Sequence, residues 1–345
     1  MNYKLLAVST GNGVNIGDYI QALASSQFLP HIDGYIERER LLTYSEGPCR
    51  VIMNGWYLHD AAQWPPSDLI DPLFVAVHFN STSKEKLLEE KSIDYLKMHE
   101  PIGCRDYNTM EMLQAKGVDA YFSACMTLTL GLRYKTQERS NLVYFVDPYF
   151  VTKWNPKAFL NNLFYLAQHY QPISAISKKH PDPKKGIRKK MIITTFFREY
   201  RRYFTDETLI NAHYICQQSK YWQYEYATNS SRLTAAEDLI KMYAKASLVV
   251  TSRFHCALPC LGLETPVIYV ENCQQSEASA CRFKGLRELF TIIRWDHNHL
   301  IPEFDCKGKI SSTDNIPENK NLWQPLAQQL ITKCTEWVHA VCKDL

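Results

Sequence analysis

The stretch Thr251-Ser252-Arg253-Phe254-His255 sets a guanidinium and an imidazole two residues apart, directly after the apolar run Leu248-Val249-Val250 and directly before an apolar helical pattern. A strand ending there places both side chains at its carboxyl end beside a helix N-terminus, where open α/β sheets bind their ligands. An arginine fork holds a carboxylate or phosphate at two points, and an imidazole exchanges protons near neutral pH. The pair suits a small acidic phosphoester. The competing reading is structural, with Arg253 in an ion pair and His255 hydrogen-bonded at the helix start.

Other chemistry-bearing residues fall at comparable positions in the first half. His78 and the pair Arg105-Asp106 end expected strands and would face the same cleft; such groups also serve as purely structural pairs. The loop from Thr10 to Gly17 has Gly11, Gly13 and Gly17 as GxGxxxG, one residue longer than the dinucleotide fingerprint, and no acidic strand end follows roughly 20 residues later. A tight turn from Gly13 to Asp18 fits better, with Asn15 or Asp18 capping the helix or touching ligand.

From Lys178 to Arg202 there are ten Lys/Arg against Asp182 and Glu199, enough to attract an anionic glycan or a lipid diphosphate at a membrane, or simply to keep a loop solvated. The aromatic interleaving of single-strand nucleic-acid binders is missing, so nucleic acid is not expected. The cluster Tyr221-Trp222-Gln223-Tyr224-Glu225-Tyr226 suits either core packing or stacking on sugar rings.

The elements that must position these residues read as alternating strands and helices, which implies mostly parallel sheets with covered faces. Strands are expected at 5–9, 51–53, 74–77, 102–104, 120–122, 142–146, 191–197, 248–251 and 266–270. Helices are expected from near Asp18, over 107–116, 159–170, 254–262 and 322–342, and from a capping-box spacing at Thr234-Ala235-Ala236-Glu237 to Ala246. The lysines before 191 would lie on a surface loop.

With 345 residues, two domains are the starting expectation, and the polar stretch Gly131 to Asn141 divides them into 1–138 and 139–345, with a ligand cleft between. The 46% hydrophobic and 22% charged composition is that of an ordinary globular protein, and no apolar run approaches the roughly 20 residues of a membrane span. A cytoplasmic location is expected. The eleven cysteines are scattered without a CxxC and read as reduced thiols rather than metal ligands.

Three blocks, NIGDYIQALA, PIGCRDYNTMEMLQAKGVDAYFSACMTLTLG and TSRFHCALPCLGLETPVIYV, together resemble the polysaccharide pyruvyl transferase family over about residues 8 to 290. Phe254 stands where the family more often has Leu, and Ala124 where Gly is common; neither change removes a polar group. The resemblance implies two Rossmann-like domains facing each other across a cleft, as in GT-B glycosyltransferases, to which the helical spacing over 322–342 adds a C-terminal helix. It implies an enzyme that moves the pyruvyl group of phosphoenolpyruvate onto a sugar as a ketal, with no metal or cofactor. The donor would bind the C-terminal domain through Arg253, His255 and Ser252, with Arg105 or Arg133 adding charge. Arg253 would clamp the anion and His255 would act as acid and base. Asn15, Gly17, Asp18, His78 and Asp106 are candidates for the cleft and its acceptor side. The partner would be a sugar or glycan, free or lipid-linked, met at most through peripheral contact at the inner face of the membrane. Two alternatives stay open: a glycosyltransferase with a nucleotide-sugar donor, and a non-catalytic glycan-binding protein.

Overall fold

Apolar runs of three to six residues separated by helical segments become short strands, most of them parallel, in a mixed α/β architecture. The structure is a computed structural model that describes residues 1–8, 14–219, 225–274, 276, 280–296 and 299–340, without the side chains of 218 and 219. In the first half, β1 (Lys4–Ala7) pairs with β3 (Gly34–Glu37), and β4 (Cys49–Ile52) with β6 (Ile70–Leu73). Strands β5 (Gly55–Tyr57), β7 (Val77–Phe79), β8 (Ile102–Cys104) and β9 (Ala120–Phe122) lie side by side in that order. Backbone bonds from Arg50 N to Asn2 O (2.8 Å), Met53 N to Leu73 O (2.8 Å) and Gly103 N to Phe74 O (3.0 Å) join these groups edge to edge.

The second half holds a six-stranded sheet in the order β11 (His213–Ile215), β10 (Val143–Val146), β13 (Leu248–Thr251), β14 (Val267–Asn272), β15 (Thr291–Asp296), β16 (His299–Pro302). All neighbours are parallel except β16, which runs against β15. A two-residue antiparallel pair, β2 (Val14–Asn15) with β12 (Gln218–Ser219), ties the first half to the second.

The helices are α1 (Ile16–Ser26), α2 (Lys84–Leu87), α3 (Glu90–Lys97), α4 (Tyr107–Gln114), α5 (Gly131–Tyr134), α6 (Pro156–Gln168), α7 (Tyr170–Lys179), α8 (Gly186–Tyr200), α9 (Asp206–Asn211), α10 (Asn229–Lys245), α11 (Phe254–Gly262) and α12 (Trp323–Ala340). One apolar core belongs to the first half (Val51, Phe74, Phe79, Leu96) and one to the second (Phe145, Phe196, Ile268, Trp295). A third is shared, drawing Ile16 and Ile20 from α1, Leu128, Val249, Leu258 of α11 and Leu330 of α12. Backbones approach closely inside it: a Cβ on Gly131 would overlap the carbonyl oxygen of Gly262, and one on Gly262 the carbonyl of Leu128.

Several expectations need correction. Residues 191–197 are helix, the buried part of α8, and not a strand; Met191 to Phe197 are all buried, and a run apolar on every side carries no period to tell the two apart. Lys189 and Lys190 accordingly sit on α8, and Lys178 and Lys179 on α7. Helix α10 starts at Asn229, capped by Thr228 and Ser231 in a reciprocal capping box, so Thr234 lies inside it. The strand expected over 74–77 falls mostly in the gap between β6 and β7: residues 74–76 are not strand, Ala76 has φ 54°, and only Val77 joins β7. Within the stretch Gly131 to Asn141, the Arg139 guanidinium donates to the carbonyls of Ala244, Leu263 and Glu264 and to Thr265 Oγ1. Gly11, Gly13 and most of the Tyr221 to Tyr226 cluster lie outside the described residues.

Candidate active site

Strands β10 and β13 end side by side, and their ends are laced together. Thr251 Oγ1 donates to Val146 O (2.8 Å) and accepts from Arg253 N (3.0 Å), while Ser252 Oγ donates to Asp147 O (2.6 Å). Asp147, held at φ 43°, turns its Oδ2 to accept from Arg253 Nε (2.9 Å) and from Gln217 N (3.0 Å). Gln217 then reaches both helices that start here: its carbonyl accepts from Ile16 N at the head of α1 (3.1 Å), and its Nε2 donates to His255 O (3.3 Å) and Tyr243 OH (3.1 Å).

The N-termini of α1 and α11 therefore meet. Asn15 caps α1, its Oδ1 accepting from Gly17 N (3.1 Å), and the His255 ring lies against Gly17. A Cβ at Gly17 would stand 3.0 Å from both Cβ and Nδ1 of His255, tighter than most real contacts, so any larger residue would have to push the imidazole aside by a few tenths of an ångström. His255 is non-helical (φ −79°, ψ 19°) within the first turn of α11, and its Nε2 is shut off from solvent with no hydrogen-bond partner among the described residues.

Arg105 comes from the other half, following β8, with its N donating to Val77 O (2.7 Å). It is 3% exposed, and neither Nη1 nor Nη2 has a partner among the described residues. Arg282 comes from the turn Cys281–Phe283, whose Phe283 ring packs with Phe254, Tyr269 and Phe290. The same segment crosses to the first half, where Tyr107 N donates to Lys284 O (3.1 Å); Arg282 Nε also lacks a partner among the described residues.

Charge explains the titration of this cluster. Burial drives the His255 pKa well down, and the cations Arg105, Arg282 and Arg253 drive it further, so the imidazole is neutral. Burial and then the Arg105 charge lower even Arg282. Burial raises Asp18, against the pull of Arg38, Arg105 and Arg282; its Oδ1 lies 3.8 Å from Arg38 Nη1. Orphaned guanidinium nitrogens beside an unpaired imidazole nitrogen lack an anion, and a ligand with two anionic groups would supply it. Among the described residues no group of three or more His, Cys, Asp or Glu converges as a metal site would require.

The family model for polysaccharide pyruvyl transferases matches residues 15–274, from the cap of α1 to just beyond β14. This chain belongs to the polysaccharide pyruvyl transferase family. A solved but functionally uncharacterised protein of Klebsiella pneumoniae aligns with this family member over 82% of the chain and 87% of its own, at 11% identity and a TM-score of 0.41. No curated protein matches it.

Of the residues singled out in the sequence of this transferase family member, the structure brings Arg253, Ser252, His255, Arg105, Asn15, Gly17 and Asp18 to one place. His78 and Asp106 lie beside it but satisfy each other: His78 Nδ1 meets Asp106 Oδ2 at 2.6 Å, and Asp106 Oδ1 caps α4 through Thr109 N and Oγ1 (both 3.0 Å). Burial pushes the His78 pKa to about 4, its bond with Asp106 only partly opposing this. Burial also works to raise Asp106, yet the His78 bond and the Arg105 charge outweigh it and hold the carboxylate below its usual value. Arg133 is elsewhere, on α5, lining a cavity of about 640 Å³ with Gln27, Phe28, Leu132, Thr335 and His339 at the far end of α1.

Sequence reasoning missed Asp147, Gln217 and Arg282. Asp147 had a signal, an acidic residue directly after the strand Val143–Val146 and before Pro148. Arg282 lies outside the matched span, in a segment without periodicity, and only the fold brings it in.

Proposed function

We propose that this family member transfers the pyruvyl group of phosphoenolpyruvate to two hydroxyls of a sugar, forming a ketal and releasing phosphate. The observation that carries the reading is the buried guanidinium of Arg105, without partners among the described residues and grouped with Arg253, Arg282 and the neutral His255. Phosphoenolpyruvate brings a carboxylate and a phosphate on adjacent positions of one small molecule, and the three guanidiniums supply matching forks.

In the reaction a proton adds to the methylene carbon, which becomes the methyl group, and C2 turns electrophilic. One sugar hydroxyl bonds to C2 and gives up its proton, phosphate leaves with the C–O bond pair, and the second hydroxyl closes the ketal with loss of its own proton. His255, neutral in this charge field, takes a hydroxyl proton. As the donor's charge offsets the arginines, His255 gains proton affinity and returns the proton to the departing phosphate. Asp18, whose pKa is raised, is the nearby group suited to hold the proton destined for the methylene carbon, and it regains one from the second hydroxyl as the ketal closes. The arginines stabilise the charge that grows on the phosphate as it leaves.

Two lobes, 1–138 and 139–345, facing in the GT-B manner fit this chemistry. The donor lies on the second lobe by Ser252 and Arg253, and the acceptor, a glycan sugar free or lipid-linked, approaches from the first by Asn15, Gly17 and Asp18. Phosphoenolpyruvate and a panel of galactosides, mannosides and N-acetylhexosamine glycans, followed by phosphate release and product mass, test the reading. Release with an added pyruvyl mass, lost in Arg253→Ala, supports it. Thermal protection by a UDP-sugar and none by phosphoenolpyruvate would overturn it in favour of a glycosyltransferase.

A further inference from the structure

Helix α6 is built inside out. The side turned to α8 carries Asn162, 2% exposed, whose Oδ1 accepts from Arg198 Nη1 (2.8 Å) and whose Nδ2 donates to Thr195 Oγ1 (3.4 Å), together with Leu166. The side turned to solvent carries Phe159, Leu160, Leu163 and Phe164, with Leu160 at 64% and Phe164 at 67% exposure. At 3.6 residues per turn these four and Ala167 form one unbroken apolar stripe, edged by Lys157. Trp154, exposed just before the cap residue Asn155, prolongs it at one end and exposed Tyr170 at the other. Single exposed apolar residues are ordinary, but a contiguous stripe marks an interaction surface.

The charge around the stripe names the partner. Residues 148–198 contain ten Lys/Arg and one acidic residue, Asp182, although the whole chain is only +3, so the remainder is net acidic. Lys153, Lys157, Lys184 and Lys185 are exposed, and Lys190 Nζ donates to Tyr170 OH (2.7 Å) while standing 4.2 Å from that ring's centre. An aromatic and aliphatic stripe bordered by lysines is the composition of helices that lie in a membrane interface and bind anionic headgroups. A second copy of this face would set lysine against lysine.

We propose that α6 seats this protein on an anionic lipid surface, independently of the donor it uses. The contact proposed is peripheral, made by the exposed face of α6 alone; no helix among the described residues is long and apolar enough to cross a membrane.

Flotation with vesicles of phosphatidylcholine, alone or mixed with phosphatidylglycerol, tests this. The protein is expected to float with the mixed vesicles only, less so as salt rises. Leu160→Ser/Phe164→Ser should lower partitioning at least about tenfold, and Lys153→Gln/Lys157→Gln should flatten the salt dependence, with melting temperatures unchanged because these side chains are exposed. No binding to either vesicle, or equal binding by the Ser variant, would overturn the proposal. So would a dimer in sedimentation velocity that the Ser variant dissociates.

Discussion

Two buried histidines, one in each half of the molecule, differ in kind in their surroundings. His78, in β7, meets a buried carboxylate at 2.6 Å, and that carboxylate is itself satisfied by the first turn of α4. His255 at the head of α11 faces three arginines, and its Nε2 and the tips of Arg105 have no partner among the described residues. Both imidazoles are neutral, and burial is the first cause in each case. What separates them is satisfaction: the Nδ1 of the first is paired with Asp106, whereas the Nε2 of the second has no partner among the described residues, as expected on the proposed reading of a group that a ligand completes.

The sharpest way to break this comparison is His255→Asn, expected to cut turnover by about 10² to 10⁴ with little change in melting temperature. His78→Asn should do the reverse, lowering stability by roughly 2–4 kcal/mol while the folded fraction keeps most of its turnover. If both variants lost activity and kept their stability, the distinction would fail. Next in size, Arg105→Met should weaken thermal protection by phosphoenolpyruvate about a hundredfold in concentration, while the donor-free protein melts no lower, since a buried cation without a partner is removed. The same variant should raise the His255 pKa, moving the acidic limb of the pH–rate profile upward.

Acidification acts on both histidines with the same sign, since burial lowers each of them. Between the ordinary histidine value of 6.5 and about 4, the unfolded chain binds a proton at His78 that the folded chain refuses. Stability is therefore full above that window, falls as pH drops through it, and levels off below, with His78 contributing on the order of 3 kcal/mol. His180, also pushed to about 4 by burial, acts with the same sign. Melting curves across this range should show a shallower slope in His78→Gln. The smallest effect is expected at Arg133→Ala, below about twofold in turnover, because that side chain lies at the other end of α1.

How far the sequence could be read depended on where a residue's partner lies along the chain. The strand Leu248–Thr251, the helix behind it and the candidate pair Arg253 and His255 were legible, because a local apolar run and a local polar break define them. Residues 191–197 were not, since a β-branched run buried all round satisfies either period. His78 and Asp106 were legible as polar groups at strand ends, but only the 2.6 Å contact shows that they satisfy each other. Arg282 and Gln217 lie 177 and 38 residues from Arg105 and His255 respectively, and no local pattern announces a contact made only by folding.

The two glycines at the seam, Gly131 and Gly262, leave no room for a methyl group between three backbones. Helix α11 carries one of them at its tail and His255 at its head, roughly 10 Å apart at 1.5 Å per residue. The position of this helix is thus set by contact between bare backbones. A wedge as small as one carbon at the seam would press on the helix that carries the imidazole against Gly17, so the arrangement of the candidate site depends on positions remote from it.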